Sequence, residues 1–189
     1  MNRQRPLTHL VHELLAMALQ PGDLAVDATA GNGHDTLHLA QQVSPGGSVF
    51  AFDVQHRALD ATAGKLYAAG LRDKVNLCRA SHQDMLQRIP AEWRGQIAAI
   101  TFNLGYLPGG DKQITTGAAS TLAALEQSLH LLQNGGVLSV LAYRGHPGGA
   151  QEADAVQRWL EEHAAELECQ VYESPGPVLY YCTRHRPSA

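Results

Sequence analysis

Leucine and valine recur at helical spacing near the start of the chain: Leu7, Leu10, Val11, Leu14, Leu15 and Leu19. This predicts an amphipathic helix over about 8–19, packed on a core by one face. A breaker cluster, Gln20-Pro21-Gly22-Asp23, ends it. The pattern then changes to short apolar runs of strand character, at 24–28, 49–53, 75–79, 97–103 and 137–143. Between them lie stretches of helical periodicity: 34–43, 56–69, a short one at 83–89, and one marked by Leu122, Leu125, Leu129 and Leu132 that stops at Asn134-Gly135-Gly136. Ala153, Val156, Leu160 and Ala164 mark a further helix, and 167–173 and 178–183 read as two closing strands split by Pro175-Gly176-Pro177. Strand–helix alternation implies a mostly parallel seven-stranded sheet with helices on both faces and right-handed crossovers, an α/β fold. No repeat or linker interrupts it, so residues 1–189 read as one domain.

Composition narrows the class. Of 189 residues, 44% are apolar and 17% charged, which suits a packed globule rather than a disordered chain. Lys and Arg total 14 against 18 Asp and Glu, a formal charge of −4, which excludes a generally basic nucleic-acid binder but not an enzyme that grips RNA through a local patch. Ten histidines make the effective charge pH-sensitive. Cys78, Cys169 and Cys182 are odd in number and widely spaced, so no disulfide framework and no metal site is expected, and a reducing cytoplasm fits best. The N-terminal stretch has the basic-then-apolar look of a signal peptide, but His12 and Glu13 interrupt it, and no run is long enough to span a membrane.

Candidate chemistry gathers at strand ends, where open α/β sheets bind ligands. The first strand runs into Asp27-Ala28-Thr29-Ala30-Gly31-Asn32-Gly33, the second closes on Asp53, and Ser81-His82 follows the third. A dinucleotide fingerprint would place a third glycine where Thr36 stands, and no phosphate loop of the G-x-x-x-x-G-K-[ST] type is present. D-x-x-x-G-x-G followed by an acidic strand-two end is the pattern of an S-adenosyl-L-methionine (SAM) site, with Asp53 placed to accept hydrogen bonds from both ribose hydroxyls. The plain alternative is a strand-to-helix turn with no ligand. The fourth strand ends in Asn103-Leu104-Gly105-Tyr106-Leu107-Pro108, comparable to the Asn/Asp-Pro-Pro-Tyr segment of amino-group methyltransferases; the alternative is a turn capped by Asn103.

The strings DATAGNGHDT (27–36), FDVQ (52–55), SH (81–82), FNLGYLPGGDK (102–112), ITT (114–116), ST (120–121) and GHP (145–147) resemble the small bacterial family labelled rRNA methylases. The resemblance runs from about residue 7 to 165. It implies a Rossmann-like class I methyltransferase fold, SAM as cofactor, and N-methylation of the 5-aminomethyl group of wobble (2-thio)uridine in tRNA. Methylation of rRNA or of a small-molecule amine, and a non-catalytic SAM- or RNA-binding role, are the alternatives.

Carried over by residue, the resemblance puts Asp27, Gly31, Asn32, Gly33 and Asp35 in the cofactor turn, Asn32 and Asp35 near the methionine part. Asp53 and Gln55 would hold the ribose, and Ser81 and His82 would flank the adenine. Asn103, Gly105 and Tyr106 would line the methyl acceptor. Arg144 stands where the family carries a histidine before Gly145-His146-Pro147. His146 and Asp111 are the candidates for the proton exit; His9, His12, His130 and His163 read as surface or packing residues. The partner implied is the anticodon region of tRNA, with a homodimer plausible for so small a chain. Lys112, Arg144, Arg3, Arg5, Arg184 and Arg186 are candidate phosphate contacts.

Overall fold

The computed structural model describes residues 6–107, 109 and 115–185. Seven strands form one sheet: β1 (Leu24–Asp27), β2 (Ser48–Asp53), β3 (Val75–Arg79), β4 (Ile97–Leu104), β5 (Leu132–Tyr143), β6 (Leu167–Glu173) and β7 (Pro177–Arg184). Their order is β3-β2-β1-β4-β5-β7-β6; all neighbours from β3 to β5 pair in parallel, and β7 runs antiparallel to both β5 and β6. The helices are α1 (Leu7–Ala18), α2 (His34–Val43), α3 (His56–Ala68), α4 (Met85–Arg88), α5 (Ala118–Leu131) and α6 (Gly149–Glu162).

Successive strand residues alternate between two cores, as a pleated strand requires. Val26, Phe50, Phe52, Leu138 and Val140 join the core under α5 and α6, with Leu125, Leu129, Val156 and Trp159. Ala25, Val49, Ala51 and Leu141 join the opposite core, with Val11 and Leu15 of α1, Leu39 and Val43 of α2, and Leu59 and Leu66 of α3. Both faces are therefore dry, and chemistry is confined to the strand ends, loops and rims.

Two expectations differ from the structure. The break foreseen at Asn134-Gly135-Gly136 lies inside β5, which begins at Leu132 directly after α5. Pairing with β4 slips there, and Gly136 lies so close that a Cβ would sit 2.9 Å from the Ile97 carbonyl oxygen, so the glycines mark a bulge rather than a loop. The second concerns cysteine. Cys169 and Cys182 form a disulfide, where none was expected from the count and spacing. The β6–β7 register places the two residues directly opposite each other, a proximity set by the hairpin.

Candidate active site

The turn after β1 is tied down from three sides. Ala28 N–H donates to the Thr101 carbonyl of β4 (2.9 Å), and Ala30 N–H to the Phe52 carbonyl of β2 (2.8 Å). Gly31 N–H donates to Asp53 Oδ2 (3.0 Å). Gly33 caps α2 with φ +78°, and a Cβ there would lie 2.7 Å from Thr62 Cα of α3, so only glycine allows this helix-to-turn approach.

Asp27 and Gly33 were expected to meet the cofactor, and the structure places both beneath the turn. Asp27 is 0% exposed. Its oxygens accept from Thr29 N–H (3.1 Å) and Thr36 Oγ1 (2.5 Å), so it shapes the loop from inside rather than facing a cavity. Burial, with the nearby Asp35 carboxylate adding to it, pushes Asp27 up to about 7.

A cavity of about 170 Å³ opens at the ends of β1–β3, lined by Thr29, Gly31, Asp53, Gln55, Ser81 and His82 among others. Asp53 accepts Gly31 N–H on one oxygen and Gln55 N–H (2.8 Å) on the other. An ionised carboxylate offers about four lone-pair sites, so each oxygen keeps capacity for a hydroxyl. His82 is 7% exposed, meets Phe102 edge-on, and its buried Nε2 has no partner. Burial holds its imidazole down to about 4, against a smaller opposite pull from the Ala28 backbone. A carboxylate for two hydroxyls beside an apolar slot with one uncommitted ring nitrogen fits the adenosine part of SAM.

Asn103, Gly105, Tyr106, Thr29 and Gly31 line this cavity and also a larger one of about 830 Å³, which adds Asn32, Asp35, His12, Tyr143 and His146. Asn103 N–H donates to Thr29 Oγ1 (2.6 Å), and its Nδ2 donates to Asp35 Oδ2. Asp35 Oδ1 pairs with His12 Nε2 (2.5 Å). Burial and the Asp35 charge raise the Tyr143 phenol above its ordinary value. His146 packs between Gly105 and Gly149 and meets the Tyr106 ring edge-on at 6.0 Å. Its Nδ1 lies 3.1 Å from the Pro147 carbonyl oxygen, which selects the Nδ1–H tautomer and leaves the buried, unpartnered Nε2 with its lone pair.

The chain beyond Tyr106 is fixed where it returns. Tyr106 bridges Thr115, Gly105 N–H donates to Thr116 Oγ1 (2.8 Å), and Thr116 N–H donates to the Gly105 carbonyl (3.0 Å). Beneath them Glu152 of α6, 2% exposed, accepts from Thr116 Oγ1 and Thr121 Oγ1, each at 2.7 Å.

The strand-end residues named from sequence thus come together, except that Asp27 and Gly33 lie below the turn and Asp111 lies outside the described residues. Lys112, Arg3, Arg5 and Arg186 lie outside them too. Arg184 was a candidate phosphate contact, but its guanidinium donates to the Leu132 carbonyl and serves the fold. Arg144 is half-exposed, 4.0 Å from Glu173. Sequence reading missed His12, expected to be a surface or packing residue, and Glu152; a lone histidine on an amphipathic helix and an acid among other acids carried no signal.

A family model described as "Putative rRNA methylase" matches residues 49–174. The "tRNA (mnm(5)s(2)U34)-methyltransferase, chloroplastic" of Arabidopsis thaliana is 38% identical over 162 residues, 82% of this chain and 58% of the relative, so the chain spans little more than half of that protein's length. A solved structure described as a putative rRNA-methylase from Clostridium thermocellum superposes with TM-score 0.90 at 34% identity, covering 96% of this chain and 99% of that one. A methyltransferase described as putative, from Streptococcus mutans and solved in complex with SAH, gives TM-score 0.83 at 32% identity, with the same coverage. The sheet order, the turn tied to Asp53 and these matches agree: the chain belongs to the rRNA methylase family, with the α/β fold of the SAM-dependent methyltransferases.

Proposed function

We propose that the protein transfers a methyl group from SAM to the nitrogen of the 5-aminomethyl group on wobble (2-thio)uridine of tRNA. The observation that carries an amine-methylation reading is Asn103, which lines both cavities and so stands where cofactor and acceptor meet. The tRNA substrate is supported by the activity named for the Arabidopsis relative.

Bound SAM supplies a methyl group on a cationic sulfur. Asp53 and Gln55 hold the ribose, Ser81 and His82 flank the adenine, and Asn32 and Asp35 lie toward the methionine end. An aliphatic amine, with a reference near ~10.4, enters as a cation and attacks only when neutral. The positive charge of the SAM sulfonium would disfavour a second cation beside it, and Asn103 Oδ1 accepts an amine N–H to aim the lone pair. Tyr106 packs its ring on the base. His146 Nε2, buried and unpartnered, takes the departing proton; Asp111 is the other candidate for that role. The working partner in this reading is the anticodon region of tRNA, met in the cytoplasm by a homodimer. Among the described residues no helix is long and apolar enough to cross a membrane.

Nucleoside mass analysis of tRNA and rRNA from a deletion strain tests the reading. Accumulated 5-aminomethyl-uridine nucleosides are expected, and addition of purified protein with SAM should convert them. Unchanged tRNA with a missing rRNA methyl would move the substrate to rRNA, and no change in either would leave a binding role. Sedimentation of the protein with and without an anticodon stem-loop tests the homodimer.

A further inference from the structure

α1 lies outside the sheet and contributes two leucine-rich turns to one core, yet one of its polar side chains reaches the acceptor cavity. His12 Nε2 meets Asp35 Oδ1 at 2.5 Å, and Asp35 Oδ2 receives the Asn103 Nδ2–H. His12 is itself held: its ring stacks on His38 with centroids 4.2 Å apart and planes within 4°, and its carbonyl accepts from His38 Nε2 at 2.9 Å. Asn103 is held at its main chain by Thr29 Oγ1. What remains free is the amide torsion.

The chemistry of the pair decides that torsion. A primary amide has one accepting edge and one donating edge, whereas an ionised carboxylate only accepts. Asp35 therefore takes the donating edge of Asn103, and the accepting edge, Oδ1, is the one left for a substrate. With the amide reversed, its Oδ1 would face the Asp35 carboxylate with no hydrogen between them, and its N–H₂ would bind the amine lone pair that must attack the methyl group. We propose that His12 and Asp35 are positioning residues for methyl transfer: together they lock the Asn103 amide with Oδ1 toward the acceptor, and so make the site selective for an acceptor that donates N–H. This rests on the amine-methylation reading for the identity of the substrate, but not for the lock itself.

The test has two readouts. In ligand-free protein the ¹H–¹⁵N side-chain amide pair of Asn103, assigned by its loss in Asn103→Ala, should be widely split, with one proton shifted downfield by the carboxylate. His12→Ala should move it toward a free amide. His12→Gln should restore it, because the glutamine amide can donate to Asp35 from the same side. On tRNA carrying 5-aminomethyl-uridine, His12→Ala should lower kcat by about tenfold or more, while SAH affinity by calorimetry and KM for tRNA change by less than about twofold. His12→Gln should recover most of the rate. The proposal is overturned if His12→Ala keeps the split amide and the wild-type kcat, or if Ala and Gln lose rate alike. If the amide behaves as expected but wild-type protein methylates no tRNA, the lock stands and the substrate reading fails.

Discussion

Asp53 joins two tasks in one carboxylate: it takes the Gly31 and Gln55 amides, fixing turn and helix start, and it faces the smaller cavity. Asp53→Ala should therefore lose two charge-assisted hydrogen bonds to the ribose, each worth about 1.5–3 kcal/mol, and also loosen the turn. Calorimetry should show SAM affinity falling by at least about a hundredfold; retained affinity would remove Asp53 from the nucleoside site. His146 makes a different kind of claim. His146→Asn keeps a donor near the Pro147 carbonyl, at the place of Nδ1, but removes the basic nitrogen, so turnover should fall by ~10²–10⁴-fold with SAM affinity kept. A full rate in that variant would make His146 structural. Most of these residues were legible in the sequence because a doubly wound sheet delivers the ends of β1–β4 to one edge: Asp53, Ser81, His82, Asn103 and Tyr106 are there by topology. Asp27 shares that address, but its side chain turns inward onto Thr29 and Thr36, a choice of direction that spacing does not encode. His12 reaches Asp35 across 23 residues of chain, so nothing local announces it.

At the scale of elements, α6 anchors Thr116, which lines the smaller cavity, and the start of α5. Glu152 is a buried carboxylate with two hydroxyl donors, Thr116 just before α5 and Thr121 in the first turn of α5. Glu152→Ala leaves the buried Thr121 hydroxyl and the half-buried Thr116 hydroxyl without that acceptor, a loss of about 1–3 kcal/mol for the buried group and less for the other. Thermal unfolding should fall accordingly, and hydrogen exchange should quicken at Gly105 and Thr116, whose mutual hydrogen bonds depend on the same knot. Glu152→Gln should lose less, since hydroxyls can rotate to meet an amide. Unchanged exchange at Gly105 in the alanine variant would show that the Gly105–Thr116 pairing holds without Glu152. The helices and strands themselves were legible from periodicity, including the closing pair, β6 and β7. The β5 start and the Cys169–Cys182 link were not, because each depends on which residues the register brings opposite one another.

For the whole molecule, the site leaves a signature in stability against pH. His82 is kept neutral by burial, so between its ordinary value of 6.5 and its folded value of about 4 the unfolded chain binds a proton that the native protein does not. Its contribution is intact above 6.5 and is lost as pH falls toward 4. Asp27 acts in the opposite sense: between 3.8 and about 7 the native protein carries a proton that the unfolded chain has released. Its contribution is intact in acid and is lost as pH rises through 7. Over the shared window the two act in opposite directions in the wild type. Single variants should separate them. Relative to wild type, Asp27→Asn should gain stability as pH rises from 4 to 7, since Asn keeps an acceptor for the Thr29 N–H without a buried charge. His82→Gln should show the reverse, gaining toward pH 4. Denaturant unfolding of ligand-free protein at intervals across that range checks both, and the opposed slopes are the decisive feature. Two flat difference curves would mean that neither buried group keeps its shifted proton affinity, and the floor of the site would then be wetter than its packing implies.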